Sequence, residues 1–260
     1  MHGLCNAFAS IRNWRGCWWG IALNSFASHN APCSRKALLL MAGLSSRTSL
    51  PMPTLGAASL AARRLDAADQ GWATRLLTQA AAGHPALRYV CAGPTAEQQQ
   101  QWLLAQLLAL ALRHGGAYAN AAGTALALWL GPRQTAATWD MRLALLPATW
   151  HLGWAGSQRL RRLLRTAAWL RHQSLAQPHH LLLTVAVHPE ARGRGEGRRL
   201  LAATLALRQA DLLPFQCSTQ IPGQLPFYQR QGFALTGHCV VGQGPNGLLS
   251  NWSLLRPATI

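Results

Sequence analysis

The sequence predicts an α/β domain in which strands alternate with amphipathic helices. Three observations predict it. Residues 181–210 run from an apolar, β-branched stretch that ends at Pro189, through a loop with glycines at 193, 195 and 197, into a helix. That helix carries Leu200, Leu201, Thr204, Leu205 and Arg208 at helical spacing. Residues 117–120 and 124–130 read as a β-hairpin turning at Ala122-Gly123. Two more strand-like runs, near 233–241 and 247–255, follow a short helix at 223–231. With 260 residues, half of them hydrophobic, the chain can fill one full core.

The body of the chain reads in order as follows. Residues 57–65 are strand-like and open the sheet. Asp66 suits the N-cap of a helix over roughly 67–82, with Trp72, Leu76 and Leu77 on its buried face. Gly83-His84-Pro85 stops that helix. Thr95 starts the next one, with Gln98 in the capping-box position and an apolar stripe of Leu103, Leu104, Leu107, Leu108 and Ala111. Gly115-Gly116 ends it before the hairpin. Residues 135–175 read as helical, broken at Pro147 and again at 153–156. The last piece turns Leu160, Leu163, Leu164 and Ala167 inward and Arg159, Arg161, Arg162 and Arg165 largely outward, as a solvated helix surface. Strand 180–187, its loop, the helix 195–210 and a strand near 214–219 lead to the short helix and the two closing strands.

A strand, a glycine-rich turn and a helix start make an anion site. Glycines allow a tight turn with successive N–H groups unblocked by a Cβ, and the helix start adds unpaired N–H groups and partial positive charge. The spacing is not the dinucleotide pattern G-x-G-x-x-G, and no Gly-Lys-Ser/Thr follows to make a P-loop. Arg192-Gly193-Arg194-Gly195-Glu196-Gly197 resembles the coenzyme-A signature of the GNAT acyltransferase superfamily, Arg/Gln-x-x-Gly-x-Gly/Ala. Leu-Pro-Phe-Tyr-Gln-Arg-Gln-Gly-Phe at 225–233 is similar to that family's Pro-Phe-Tyr-x-x-x-Gly-Phe stretch, and the likeness extends along most of residues 57–257. Ala-Leu-Ala-Leu-Trp-Leu at 125–130, Gly-Ser-Gln-Arg-Leu at 156–160 and a late Gly-Pro before the final strand resemble the branch that includes the puromycin acetyltransferases.

The resemblance implies a single GNAT-like domain with a mixed, mostly antiparallel sheet flanked by helices. It implies acetyl-coenzyme A as co-substrate and transfer of its acetyl group to the amine of a small molecule, by direct attack in a ternary complex. The loop backbone from Arg192 to Gly197 would hold the pyrophosphate, with Arg192 and Arg194 adding charge-assisted bonds. The strand backbone at Val185 and Val187 would pair with the pantetheine arm. Glu196 departs from the aliphatic residue expected there, and should point away from a pyrophosphate that it would repel. Tyr228 is the candidate general acid for the coenzyme thiolate, because a phenol of pKa about 10 stays protonated at neutral pH. The competing role for its ring is packing with Phe227 and Phe233. A Glu common on the preceding strand corresponds to Ser218, and an Asn common before Leu-Pro-Phe-Tyr corresponds to Gln224, whose longer amide can still reach the cofactor. His151, His179 and His180 are weaker bases for the amine; the adjacent pair reads as a strand start at the surface. The alternative function is a non-catalytic, coenzyme-A-binding sensor or interaction module of the same fold, which Ser218 and Glu196 favour slightly.

Composition bounds the partners. The chain has 24 Lys and Arg against 7 Asp and Glu, a formal net charge of +17, and Lys36 is its only lysine. An arginine-for-lysine, alanine-rich bias is what a GC-rich genome produces. The arginines are spread among helices, and no stretch interleaves them with aromatics as a base-stacking groove would, so no specific nucleic acid is expected. Seven acidic residues make a deep anionic pocket for a polycationic acceptor unexpected. No C-x-x-C and no zinc-spaced Cys/His set occurs, so no metal is expected, and reduced thiols and a cytoplasmic location are. Residues 1–51 contain no Asp or Glu, five basic residues, three cysteines and three tryptophans, and their apolar run at 37–44 is too short to span a bilayer. Transit peptides share this composition. Met52 begins Met-Pro-Thr-Leu just ahead of the region of resemblance, so residues 1–51 read as an N-terminal extension, disordered or a misassigned start, and 52–260 as the domain. No membrane partner is expected. The oligomeric state is left open, a homodimer included.

Overall fold

The computed structural model describes residues 62–135, 147–175 and 177–258. The N-terminal extension read at 1–51, most of the strand read at 57–65 and the helical stretch 136–146 lie outside the described residues. Among the described residues seven strands form one sheet: β1 (Arg63–Arg64), β2 (Ala117–Ala119), β3 (Ala125–Leu130), β4 (His180–Val187), β5 (Phe215–Thr219), β6 (Ala234–Gly244) and β7 (Gly247–Arg256). Their order is β1-β2-β3-β4-β5-β7-β6. Only β4 and β5 run parallel; every other neighbouring pair is antiparallel. The sheet is therefore mixed and mostly antiparallel.

Among the described residues, a single helical turn at Pro132–Thr135 aside, the helices are α1 (Gln70–Ala80), α2 (Pro85–Val90), α3 (Ala96–Arg113), α4 (Ala148–Ser174), α5 (Glu196–Arg208) and α6 (Leu225–Gln229). Helices cover both faces of β3, and all six of its residues are buried, as a continuous apolar run requires. Ala125, Ala127 and Trp129 pack with Leu200, Leu201 and Leu205 of α5 and with Leu182, Cys217 and Leu254 of the sheet. Leu126 and Leu128 turn the other way, onto Leu76 and Leu77 of α1 and Leu104 and Leu108 of α3. Each large side chain so buried contributes about 1.5–3 kcal/mol.

Several local expectations change. Asp66 does cap a helix start, accepting from Ala68 N–H at 2.8 Å, but the first turn, Ala67–Asp69, is 3-10 before α1 proper. Gly83-His84-Pro85 ends α1 and also begins α2, a helix the sequence reading left out: His84 Nδ1 accepts from Ala86 N–H at 3.3 Å, and Pro85 takes the first helical position. Helix α4 is interrupted only at Gly153, whose φ of 67° is non-helical, while Gly156 is helical and buried. Arg159 does not face outward: its Nη2 donates to Val90 O at 3.0 Å, joining α4 to α2. His180 does open a strand, with His179 just before it, but at 3% and 6% exposure they are not a surface pair. His180 stacks on Phe215 and sets Nε2 2.9 Å from Asp211 Oδ2, and His179 Nδ1 lies 2.8 Å from Gln177 O.

Asp69 ties β1 to α1. Its carboxylate takes Arg63 at 2.8 and 3.0 Å, Trp72 Nε1 at 2.9 Å and Asp66 N–H at 3.1 Å. The Arg63 bonds first, then Trp72, then Asp66, hold its pKa well below the usual carboxylate range. A depressed folded pKa gives stability that is complete above the unfolded value of about 4 and is lost as pH falls below it. Asp69→Asn should therefore lower the melting temperature at pH 7 and flatten its fall between pH about 5 and about 2. A variant with the wild-type acid limb would show that this carboxylate does not couple to folding.

Candidate active site

The site begins where β4 leaves β5. The two strands pair only at His180, Leu181 and Leu182 against Phe215, Gln216 and Cys217. Beyond that point β4 stays with β3 up to Val187, and β5 stays with β7 through Ser218 and Thr219. An extra residue on β4, Leu183, lies between the Leu128–Thr184 and Trp129–Leu182 pairs and shifts the register there. Such a bulge bends and twists its strand. His188 N–H donates to Thr124 O at 2.8 Å, so Thr184 and Ala186 share that edge by strand alternation. Val185 and Val187 consequently turn their N–H and C=O groups to the opposite edge, into the gap.

The gap ends at the glycine loop. Gly193 and Gly195 have φ of 77° and 79°, a left-handed conformation that favours glycine. The first intrahelical bond of α5 runs from Arg199 N–H to Gly195 O at 3.0 Å, so the N–H groups of Glu196, Gly197 and Arg198 have no acceptor within the helix. Gly197 is buried for a different reason. A Cβ there would sit 2.9 Å from Val187 Cγ2, 3.5 Å from Val185 Cγ1 and 4.0 Å from Phe227 Cε2. The same contacts bring the loop, β4 and α6 together.

The side chains of the loop are already engaged. Arg192 Nη2 donates to Ala80 O at 2.8 Å, capping the end of α1, while Arg194 is exposed. Glu196 accepts from Asn120 Nδ2 at 2.8 Å and from Arg199 Nη2. Asn120 first and Arg199 second lower its pKa. Asn120 also accepts from the N–H groups of Thr124 and Ala125 at 2.8 and 2.9 Å, so it clamps the β2–β3 turn to the loop. Sequence reasoning missed both Asn120 and Arg199. Arg199 stands three positions from Glu196, a spacing that signals a helical ion pair, whereas Asn120 is 76 residues away and gives no local sign.

Tyr228 sits beside the head of the gap, in the cluster that contains Leu182, Cys217, Val185 and Val187. Its ring meets Phe227 and Phe233 edge-on, at 5.0 and 6.1 Å between centroids, and it is 6% exposed. Burial first, and the Cys217 thiol second, push its pKa up, which keeps the phenol protonated. Gln224 Oε1 accepts from Thr219 Oγ1 at 2.7 Å, and Thr219 Oγ1 accepts from Ile221 N–H at 3.2 Å, so this amide shapes the link from β5 to α6. Ser218 is half-buried and pairs with Ser253 of β7. The histidines are not brought to the site. His179 and His180 lie at the far end of β4, about 23 Å from the loop at the rise of a strand. His151 is exposed and stacks on Trp102 at 4.5 Å.

An uncrowded left-handed glycine at 193, with nothing within 4 Å of an ideal Cβ, a helix start and a strand edge turned into a gap fit a pyrophosphate with an extended amide arm. Residues 162–235 match the acetyltransferase (GNAT) domain family. Among solved structures, the polyamine N-acetyltransferase of Drosophila melanogaster is similar at 17% identity and a TM-score of 0.52, over 76% of this chain and 99% of that one. Arylalkylamine N-acetyltransferase 2 from Aedes aegypti is similar at 13% identity and a TM-score of 0.54, over 76% and 99%. The C-terminal condensation domain of Ebony is similar at 8% identity and a TM-score of 0.55, over 76% and 98%. At these identities the three structures show the shared fold.

The contact at Gly197 is testable. Gly197→Ala should destabilise the protein by about 1–3 kcal/mol, because β-branched Val187 on a central strand has little freedom to move. Val187→Ala in the same chain should restore part of the loss in melting temperature. An unrescued loss would place the cause outside this contact. Over residues 162–235 the chain matches the acetyltransferase (GNAT) domain family, and its fold is the one it shares with these solved N-acetyltransferases.

Proposed function

We propose that the protein is an acetyl-coenzyme-A-dependent N-acetyltransferase acting on the amine of a small molecule. The observation that carries this reading is the parting of β4 from β5 after three paired residues, toward a loop with two left-handed glycines and a free helix start. When bound, the coenzyme supplies an activated acetyl thioester. The N–H groups of the loop and of the first turn of α5 hold the pyrophosphate, and the exposed Arg194 adds charge. The N–H and C=O groups of Val185 and Val187 pair with the arm, and Gln224 keeps its amide nitrogen for the same arm. An N–H aimed from this edge at the thioester oxygen is worth about 3 kcal/mol in the transition state.

The acceptor nitrogen attacks directly: a C–N bond forms, the C–S bond breaks, one proton leaves the nitrogen, and Tyr228 delivers one to sulfur. The phenolate then recovers a proton from solvent. Direct attack requires no enzyme nucleophile. The engaged Glu196, drawn toward Asn120 and Arg199, leaves the phosphate site to the backbone. With only 7 Asp and Glu in the chain, a small, modestly charged acceptor fits better than a polycation. A coenzyme-A sensor of the same fold is the second reading, and the serine at 218 supports it.

Calorimetric titration of acetyl-coenzyme A into the full chain should give micromolar binding, abolished by Gly195→Glu. A folded wild-type protein that fails to bind overturns the reading. Binding without release of free thiol, across a broad set of amines, would favour the sensor. Tyr228→Phe should leave coenzyme affinity within about twofold and lower kcat by about 10²- to 10⁴-fold, the usual worth of a general acid. An unchanged kcat would assign the ring to packing alone.

A further inference from the structure

Cys217 and Leu254 face α5, so their neighbours in sequence face the other side of the sheet. There a row of uncharged polar side chains runs past the point where β4 departs. Ser218 lies opposite Ser253, with Gln216 two residues before Ser218 on β5 and Asn251 two residues before Ser253 on β7. Gln220, just after β5, joins the row by donating from Nε2 to Asn251 Oδ1 at 2.5 Å. Gln216 Nε2 donates to Cys217 O at 2.9 Å and to Ser253 Oγ at 3.2 Å. Gln216 is 1% exposed and Asn251 0%. These bonds fix both amides and leave one atom of each unmatched. Gln216 Oε1 and Asn251 Nδ2 are buried without a hydrogen-bond partner. An unmatched buried acceptor and donor are costly, and a ligand that satisfies both gains what they lack. Between them stands half-buried Ser218, the first β5 residue beyond the last pair with β4.

No carboxylate among the described residues serves this row. Among the described residues, Asp66 and Asp69 stand at the start of α1, Glu97 in the first turn of α3, Glu190 and Glu196 around the glycine loop, and Asp211 against His180. A cationic tail placed in the row would be desolvated without a counter-charge from any of these six.

Resting on the acetyltransferase reading, we propose that this row is the acceptor subsite and selects primary amines that also carry an uncharged oxygen, amino alcohols and amino amides. Gln216 Oε1 accepts from the amine N–H, and Asn251 Nδ2 donates to the hydroxyl or carbonyl oxygen. Diamines and guanidino amines are disfavoured.

The test follows thiol release by the full chain at saturating acetyl-coenzyme A, with coenzyme binding measured beside it. Phenylalaninol and phenylalaninamide are compared with phenethylamine, which lacks only the oxygen-bearing group, and with agmatine, at equal concentrations of unprotonated amine. The oxygen-bearing pair should show kcat/KM about tenfold higher, the effect of one good hydrogen bond. Asn251→Asp should narrow or reverse the ranking in favour of agmatine. Gln216→Met should lower kcat/KM for every amine at unchanged coenzyme affinity, and it guards against a misfolded Asn251→Asp. Coenzyme binding with equal or better turnover of agmatine or phenethylamine overturns this inference alone. So does a ranking that both folded variants leave intact, or binding with no transfer to any of the four amines. Absence of coenzyme binding overturns the transferase reading and the inference together.

Discussion

The separation of β4 from β5 is the constraint from which the rest of the site follows. Three parallel pairs hold the strands at one end, and β4 then continues with β3 alone past the extra residue Leu183. A strand in the middle of a sheet ordinarily spends both edges on its neighbours. Here β4 keeps one edge from Val185 onward for something other than β5. That opening is stable only because each strand is anchored on its far side, β4 by β3 and β5 by β7, and because α5 bridges the top. The bridge depends on a missing side chain: Gly197 lets the helix start descend onto Val185 and Val187. Loop, helix start and open edge are thus one mechanical unit.

The sequence made this unit legible because its parts are local. The run 180–187 has the strand bounds that the structure has, and the glycines, helix start and Leu-Pro-Phe-Tyr segment lie within about one supersecondary motif of it. What escaped was non-local. Asn120 reaches Glu196 across 76 positions, and Arg192 reaches the end of α1 across 112. Helix α2 escaped because Gly83-His84-Pro85 reads as a stop, while the same proline is also a good first residue of a helix. The histidine pair misled because adjacency on a strand says which faces two residues take, and nothing about whether either face is covered. Helix α5 ends in the turn that carries Asp211, and that turn folds over His180.

Excess positive charge describes the chain better than it describes the site. The arginines nearest the loop are partly spent inside the protein, Arg192 on a helix C-terminus and Arg199 on Glu196. In the proposed function, backbone N–H groups would then do most of the anion binding, which suits a loop whose glycines expose them. Glu196 fits the same logic. A carboxylate in the first turn favours the helix dipole, and Asn120 with Arg199 holds it by hydrogen bonds.

The two faces of the sheet divide the chemistry between them. On the α5 side lie the buried phenol of Tyr228 and apolar walls. On the other lies the neutral row of Gln216, Ser218, Asn251 and Ser253. A neutral subsite bears on the question of the base. A side-chain carboxylate beside the acceptor would stabilise the ammonium form, which cannot attack, and would have to take its proton away again. An amine moved into a row of amides and hydroxyls is instead desolvated without a counter-charge, and desolvation lowers an ammonium pKa. As the proposed acceptor subsite, the row would favour the form with a lone pair, and the proton would leave to water before the amine is enclosed. A serine at position 218 is then consistent with catalysis by selection of the neutral amine, and the enzyme would need no strong base within the row.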